Sequence, residues 1–371
     1  MRAVTTFLSL FFVAVSGFAA GAKTTGKVAS DQLIYLATWP HTIRVVDLGT
    51  EKVVDKIELP TDIARILVLS PDKTKLYASS LRDNSIITVD LKTRKVLDFF
   101  SLNSEMETNR LSGLTIDPTG KYLYSIATTI TKKLDHYEIG DPKVAVIDLE
   151  AKKITRRGDF PKDEQPGARA LLRVSPDGKL LYVFRQAILV INTSDFKLNK
   201  KIELSSPIAP PGMENLSLSV LDDPNEPPGK LMSIFNASDP YVHREIFGIA
   251  EIDLANQSFE LTPVGPAATS IQPLMLNPDR SLGYTVAVNG THGDRVTEFW
   301  VFDMKTKKLI NKREFIGRTR LNLGMSADGK KLLIYNAGFE VEVYDAKTLA
   351  LENTINLQGD TTSNLIVAPL N

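Results

Sequence analysis

The sequence predicts an all-β protein, a seven-bladed β-propeller made of four-stranded blades, and three observations support this prediction. A short apolar strand that ends in Asp or Asn at a turn, followed by a second strand, occurs seven times. A turn of the SPDG type separates most successive copies, as at 175–178 and 326–329. The copies recur every 42 to 61 residues, a spacing typical of propeller blades with four short strands. The seven turn residues are Asp47, Asp90, Asp148, Asn192, Asp253, Asp303 and Asp345.

The clearest repeat unit, residues 171–204, indicates how one blade is built. In its first turn Pro176 fixes φ, Asp177 caps the turn with its side chain, and Gly178 supplies a positive φ. The Asp or Asn of the second turn bonds to its own backbone in the same way. Because these carboxylates recur in every blade, we interpret them as turn residues and not as catalytic groups. The predicted strands A to D are Leu171–Val174, Leu180–Phe184, Ile188–Ile191 and Leu198–Leu204.

The two ends of the chain are predicted to complete one blade together. The segment that begins at residue 31 supplies strands B, C and D of a blade that has no strand A. An unpaired strand lies at about 364–369, near the C-terminus. If it pairs with Leu33–Thr38, the ring closes and no innermost edge remains unpaired.

Composition limits the functions open to this chain. It has 371 residues, with 44 basic and 44 acidic side chains and no cysteine. The single repeat array predicts one domain over residues 23–371. Neutral, interspersed charge argues against nucleic acid as a partner. Without cysteine the chain has no thiol nucleophile and cannot attach haem c or a thioether-linked quinone, so we expect no cofactor here.

The N-terminus predicts export from the cytoplasm. Residues 1–22 combine Arg2, an apolar run from Phe7 to Val15 and small residues that permit cleavage after Ala19 or Ala22. This pattern is typical of a secretory signal peptide. An uncleaved anchor is the alternative, although the apolar run is short for a bilayer span. We expect a secreted, periplasmic chain that is not inserted in a membrane after cleavage.

The longest insertions are predicted to gather on one face of the propeller. In this architecture the B–C loops and D–A crossovers lie on one face, and the A–B and C–D turns lie on the other. Long B–C loops are expected at 128–143, 236–246 and 289–298, and long crossovers at 103–109, 159–167 and 205–213. The exception, at 222–229, replaces an A–B turn on the opposite face. Long loops on a rigid scaffold favour a binding role for the first face.

All four histidines fall in the predicted B–C loops, together with several aromatic residues. The functional interpretation is a partner or pocket rim, and the alternative is ordinary exposed loop residues. A metal site is disfavoured because the histidines come from four different blades and would have to converge. An acid–base pair at Asp135 and His136 would require burial. The candidate residues are Trp39, His41, Asp135, His136, Tyr137, Tyr241, His243 and His292.

The repeat units resemble those of secreted YVTN-type propellers, and one blade carries a closer resemblance. Residues 117–154, which include the LDHYE sequence, look like the corresponding blade of the β subunit of quinohemoprotein amine dehydrogenase. The resemblance implies a cofactor-free propeller that packs against a dihaem cytochrome c subunit and a small subunit bearing a tryptophan-derived quinone. It would help to enclose the amine pocket. His136 and Tyr137 are then candidates for the subunit contact.

Two other functions remain open at the level of sequence. A stand-alone secreted propeller would bind a protein or a glycan. A lactonase-type enzyme would need carboxylates, histidine or a metal that converge at the mouth of the central channel, and no motif for them is present. The sequence also contains no G-x-S-x-G, H-E-x-x-H, P-loop or dinucleotide-binding motif.

Overall fold

The structure, a computed structural model, describes residues 32–164, 170–185, 187–203, 212–220, 229–317, 320–335 and 338–368. The predicted signal peptide, residues 1–22, lies outside these ranges. So do most of the predicted insertion at 222–229, most of the predicted crossover at 205–213 and part of the one at 159–167. Seven antiparallel sheets are arranged as the blades of a propeller, which confirms the predicted fold class. Within the described ranges no helix is long and apolar enough to cross a membrane.

Thirty-one strands and one 3-10 turn, at His292–Asp294, make up the described structure. The strands of the first three blades are β1 (Leu33–Thr38), β2 (Thr42–Asp47), β3 (Lys52–Glu58), β4 (Ala64–Leu69), β5 (Lys75–Ser80), β6 (Ser85–Asp90), β7 (Lys95–Ser101), β8 (Glu107–Leu111), β9 (Thr115–Ile116), β10 (Tyr122–Lys132), β11 (Tyr137–Ile139), β12 (Lys143–Asp148) and β13 (Lys153–Asp159). The remaining strands are β14 (Leu171–Val174), β15 (Leu180–Phe184), β16 (Ala187–Asn192), β17 (Leu198–Glu203), β18 (Glu214–Ser219), β19 (Lys230–Asp239), β20 (Arg244–Asp253), β21 (Ser258–Pro266), β22 (Ser270–Ile271), β23 (Met275–Leu276), β24 (Leu282–Asn289), β25 (Val296–Asp303), β26 (Lys308–Phe315), β27 (Asn322–Met325), β28 (Lys331–Tyr335), β29 (Glu340–Asp345), β30 (Leu351–Asn356) and β31 (Ile366–Val367).

Five of the seven sheets have four strands, and two blades depart from the predicted pattern. In blade 3 the innermost strand is divided into β8 and β9, which both pair with β10, and β11 adds a further pairing to β10. In blade 6 the innermost strand is divided into β22 and β23, which both pair with β24. Proline follows closely after β22, and it cannot donate a hydrogen bond to the sheet.

Burial explains the sequence patterns of the strands. Strands B and C lie between neighbouring blades and are apolar on both faces, as in LIYLAT of β1. The outermost strands are the most exposed, and some of them alternate between half-buried and exposed residues, as in KVLDFFS of β7. The core is divided into clusters between adjacent blades: Tyr35 and Val45 of blade 1 pack with Leu67 and Leu76 of blade 2.

The ring closes as predicted. β31 supplies the innermost strand of blade 1, pairing Val367 with Ile34 and Ile366 with Tyr35. The Asn364 side chain also accepts a hydrogen bond from the Leu67 N–H (2.9 Å) and donates one to its carbonyl oxygen (3.0 Å). These bonds join the C-terminal segment to blade 2. The first and last segments of the chain therefore stabilise the same part of the ring.

Candidate functional site

We call the face that carries the B–C hairpins and D–A crossovers the hairpin face, and the face that carries the A–B and C–D turns the turn face. Three insertions that we predicted as loops on the hairpin face belong to β-hairpins, although residues 290–295 of the blade 6 insertion stay outside the paired strands. In blade 5, the pairing of β19 with β20 extends as far as Asp239 and Arg244, which leaves only 240–243 as a turn. In blade 6, β24 and β25 pair up to Asn289 and Val296. These hairpins extend the sheets of the blades beyond the ring.

The blade 3 hairpin is the most elaborate of the three. β10 continues to Lys132 because the β-branched run 128–131 suits a strand. Beyond the ring it pairs with β11 on one side and with β8 on the other. The Lys133 N–H donates to the His136 carbonyl oxygen (2.8 Å) and closes the hairpin. The predicted loop at 128–143 is therefore a supported β-structure with a short tip.

A network at the base of this hairpin fixes its direction. The buried Asn109 donates to the Leu102 carbonyl oxygen (2.6 Å) and accepts a hydrogen bond from Thr129 Oγ1 (2.9 Å). Arg157 donates to both Asn109 Oδ1 (3.0 Å) and Thr129 Oγ1 (3.1 Å). Sequence analysis did not identify these residues, because three distant segments supply them and no local motif connects them.

The tip of the blade 3 hairpin presents three of the candidate residues to solvent. His136 Nδ1 lies 2.7 Å from Asp135 Oδ1, and both side chains are well exposed. Tyr137 is 68% exposed. An exposed Asp–His pair lacks the burial that tuned acid–base chemistry requires.

The blade 1 hairpin carries Trp39 and His41. Trp39 is 56% exposed, while its backbone N–H donates to the Asp360 carbonyl oxygen (2.8 Å). His41 Nε2 lies 3.5 Å from Glu58 Oε2. A hydrogen bond from the Lys56 ammonium, with smaller attraction from His41, lowers the pKa of the Glu58 carboxyl. The hairpin therefore combines a fixed backbone with an exposed aromatic ring.

The blade 5 hairpin exposes Tyr241 and His243 at its tip. Asp239 Oδ1 accepts hydrogen bonds from the Tyr241 and Val242 N–H groups (2.9 and 3.2 Å), so the tip is an Asx-capped turn. Tyr241 is 83% exposed, and His243 has a left-handed φ of 53°. In blade 6, His292 begins the 3-10 turn at His292–Asp294.

The eight candidate residues thus share one face but belong to four different blades. The structure brings Asp135, His136 and Tyr137 together and places Tyr241 beside His243, each group on its own hairpin. Among the residues that the structure describes, no three His, Asp or Glu side chains are placed to hold a metal ion.

A cleft on the hairpin face was not predicted from sequence. It has a volume of about 890 Å³ and lies where blade 6 crosses to blade 7. Its charged lining residues are Arg295, Glu314 and Arg320. Arg295 falls in the predicted insertion 289–298, whereas no sequence signal pointed to the other two. A second cleft of about 570 Å³, at the inner ends of blades 7, 1 and 2, shares Arg320.

Comparison with known proteins supports the architecture. No family model matches the chain, and no curated protein matches its sequence. The hydrazine synthase of Kuenenia stuttgartiensis is 14% identical over 86% of this chain and 90% of its own, with a TM-score of 0.50. A functionally unknown protein of Desulfotomaculum acetoxidans is 13% identical over 92% and 100%, with a TM-score of 0.57. Dihydro-heme d1 dehydrogenase NirN in complex with DHE is 14% identical over 91% and 75%, with a TM-score of 0.54.

At these identities the likeness establishes the fold and not the activity. The chain is a seven-bladed β-propeller with a hairpin face that carries exposed aromatic side chains.

Proposed function

We propose that this chain is the cofactor-free propeller subunit of a periplasmic quinohemoprotein amine dehydrogenase. Its hairpin face would dock a dihaem cytochrome c subunit and a small subunit bearing a tryptophan-derived quinone, and would help to enclose the amine pocket. The resemblance of residues 117–154 to the corresponding family blade supports this assignment. The lack of cysteine means that both cofactors would be held by the partners.

The distribution of exposed apolar side chains carries the proposal. Of the eighteen large hydrophobic side chains that are exposed in the described ranges, ten lie on the hairpin face. Seven others lie along outermost strands, and the eighteenth, Tyr122, begins β10 next to an A–B turn. The ten are Trp39, Leu81, Met106, Leu134, Tyr137, Ile139, Tyr241, Val242, Ile316 and Phe339.

This one-sided distribution is what a docking face requires. Single exposed hydrophobic residues are ordinary, but their concentration on one face indicates an interaction surface. Aromatic side chains are also the residues that most often dominate binding energy at protein interfaces. The blade 3 hairpin contributes Leu134, Tyr137 and Ile139 from one rigid projection, so we expect it to be the principal contact.

The proposal is tested by native purification of the tagged chain from its own periplasm, with absorbance spectra and mass spectrometry of the co-purifying proteins. We expect a c-type haem spectrum and a small crosslinked subunit. The double variant Leu134→Ser/Tyr137→Ser should reduce the haem recovered per chain about tenfold or more, since buried aromatic anchors contribute about 2 kcal/mol or more.

The control is Leu97→Ser/Phe99→Ser, which makes the same kind of change at two exposed positions (54% and 50%) of outermost strand β7, away from the hairpin face. This variant should keep the full haem content. A colourless, solitary chain from cells that are oxidising amines would overturn the proposal.

The second candidate is a stand-alone propeller that binds a protein or glycan. It is favoured by the exposure of Trp39, Tyr137 and Tyr241 on three separate hairpins, because aromatic rings also form platforms for apolar ligand faces. In the same purification, this function predicts no haem but a partner or glycan that is lost in Leu134→Ser/Tyr137→Ser and retained in Leu97→Ser/Phe99→Ser.

A further inference from the structure

The cleft between blades 6 and 7 has the size and shape of a small-molecule site. Its volume of about 890 Å³ lies within the range of roughly 300–1,000 Å³ that is common for ligand pockets. One wall comes from blade 6, including Gln272 and Thr297, and the other comes from the crossover and the start of blade 7. None of the seven candidate residues from sequence analysis whose side chains the structure describes lines it.

Two guanidinium groups dominate the charge of the cleft. Arg295 and Arg320 are both exposed, and neither has a hydrogen bond or ion pair with another residue in the described ranges. Each guanidinium presents several N–H donors in one plane, a geometry that matches a carboxylate or phosphate. Glu314 is the one acidic lining residue. The cleft therefore favours an anion of low charge.

The apolar part of the cleft is held in place. The Phe315 ring stacks on Phe299, with centroids 4.3 Å apart, and meets Tyr344 edge to face at 5.5 Å. Beside it Ile316 is 91% exposed. An ordered aromatic ring next to an exposed aliphatic chain provides a surface for a short apolar body.

The backbone of the crossover has a fixed position at Gly317. A Cβ added at Gly317 would lie 1.9 Å from Thr297 Oγ1, so the backbone packs directly against blade 6. Only glycine permits this approach. The apolar wall next to Gly317 is therefore supported by blade 6.

We infer that this cleft binds a small organic monocarboxylate with a short apolar body. Arg295 and Arg320 hold the carboxylate, and Phe315 and Ile316 contact the apolar body. Glu314 opposes a second negative charge on the ligand. This inference goes beyond the proposed function and does not rest on it, because it concerns a site within the chain alone.

Isothermal titration of the purified chain with three probes that share one apolar body tests the inference. The probes are hexanoate, hexylamine and hexanol. Hexanoate should bind at least about tenfold more tightly than either of the others, because only its head group forms charge-assisted hydrogen bonds with the arginines. Equal binding of the three probes, or binding of none, would overturn the inference.

Variants assign the binding to named side chains. Arg295→Gln and Arg320→Gln should each weaken hexanoate about fivefold to tenfold, as expected for partly exposed charged contacts. The control, Arg244→Gln, removes an exposed arginine on the hairpin face of blade 5 and should leave the affinity unchanged. Equal affinities in all three variants would contradict the assignment.

Two further measurements distinguish a carboxylate site from a general anion site. Glu314→Gln should tighten hexanoate about twofold to fivefold by removing repulsion in the cleft. Acetate and inorganic phosphate should bind more weakly than hexanoate because they lack the apolar body. If phosphate binds as tightly as hexanoate, the site is a general anion site and the inference is wrong.

Discussion

At the scale of single residues, one position of the A–B turn adopts a left-handed backbone in all five copies of the SPDG type. Glycine occupies it at Gly120, Gly178 and Gly329, with φ between 71° and 74°. Lys73 and Arg280 occupy it in the other two, with φ of 56° and 60°. Residues with a side chain are strained in this region by about 1 kcal/mol, and glycine is not.

This difference predicts opposite effects for two substitutions. Gly178→Ala should lower the free energy of unfolding by about 1 kcal/mol through backbone strain alone, because the added Cβ would meet only Pro118 Cδ at 3.8 Å. Lys73→Gly should raise it by about 0.5–1 kcal/mol. Urea denaturation of both variants and the parent checks the pair, and a change of the same sign in both would contradict the strain argument.

Turn aspartates also give the protein a predicted dependence on pH. A hydrogen bond from Ser175 Oγ (2.6 Å) and one from the Lys179 N–H lower the pKa of Asp177. Hydrogen bonds from the Thr93 backbone and side chain lower the pKa of Asp90 in a C–D turn. Because the pKa of each carboxyl is lower in the folded state, its contribution to stability is complete above the ordinary pKa of 3.8. That contribution is lost as the pH falls through the folded-state pKa.

We therefore expect the free energy of unfolding to decrease as the pH falls below about 4. The variant Asp90→Asn/Asp177→Asn should be less stable at neutral pH but should show a shallower decrease in acid. Chemical denaturation at a series of pH values provides the measurement. Parallel curves for parent and variant would show that these carboxylates do not contribute to the acid sensitivity.

At the scale of elements, the C–D turns show a regularity that sequence analysis did not identify. In all seven blades the residue four positions after the turn Asp or Asn is left-handed, with φ between 52° and 59°, and none is glycine. In six blades a β-bulge follows in the pairing of strands C and D. The seven residues are Glu51, Arg94, Lys152, Phe196, Gln257, Lys307 and Leu349.

Several side chains at these strained positions contact the preceding blade. Arg94 lies 3.5 Å from Asp55 of blade 1, and Lys152 lies 2.7 Å from Asp98 of blade 2. Phe196 is buried against blade 3. A Cβ added at Gly158 of that blade would lie only 2.2 Å from the Phe196 Cβ. At Phe196 the buried contact between blades therefore offsets the backbone strain.

The strength of each contact predicts different results for the same substitution. Phe196→Gly should lower the free energy of unfolding by about 2–4 kcal/mol, since losing a buried aromatic ring outweighs about 1 kcal/mol of relieved strain. Lys152→Gly should change it by less than about 1 kcal/mol, because an exposed ion pair contributes little. Thermal and urea denaturation check both, and equal losses would contradict the burial argument.

The hairpins show where prediction of elements was incomplete. Sequence analysis located their insertions and predicted them as loops, because charged residues and glycine interrupt the apolar alternation. The structure pairs much of the insertions in blades 3 and 5, and in blade 3 the extension is supported on both sides by β8 and β11. Such support depends on residues brought in from another segment, which local patterns do not reveal.

At the scale of the whole molecule, stability depends on the short strand β31 that closes the ring. Ile366 is only 6% exposed and belongs to the core between blades 1 and 2. A closed ring protects the innermost edge of blade 1 from pairing with other chains. Its loss would expose both an edge and a core.

Ile366→Asp is therefore expected to cost more than about 3 kcal/mol, because it places an unpaired carboxylate in the core. The control, Leu351→Asp, makes the same kind of change at a 55% exposed position of outermost strand β30 and should cost less than about 1 kcal/mol. Melting temperature and soluble yield are the measurements. A melting temperature of Ile366→Asp within a few degrees of that of the control would show that ring closure contributes little to stability.

The sequence by itself determined the number of blades, their order, the turn chemistry and the closure of the ring. These features follow from local periodicity and from turn residues that act on their own backbone, so each repeat unit specifies them independently. Tertiary structure alone decided which side chains gather. The support of the blade 3 hairpin, the contacts between blades and the cleft with Arg295 and Arg320 depend on how separate units are placed in space, and no single segment encodes that placement.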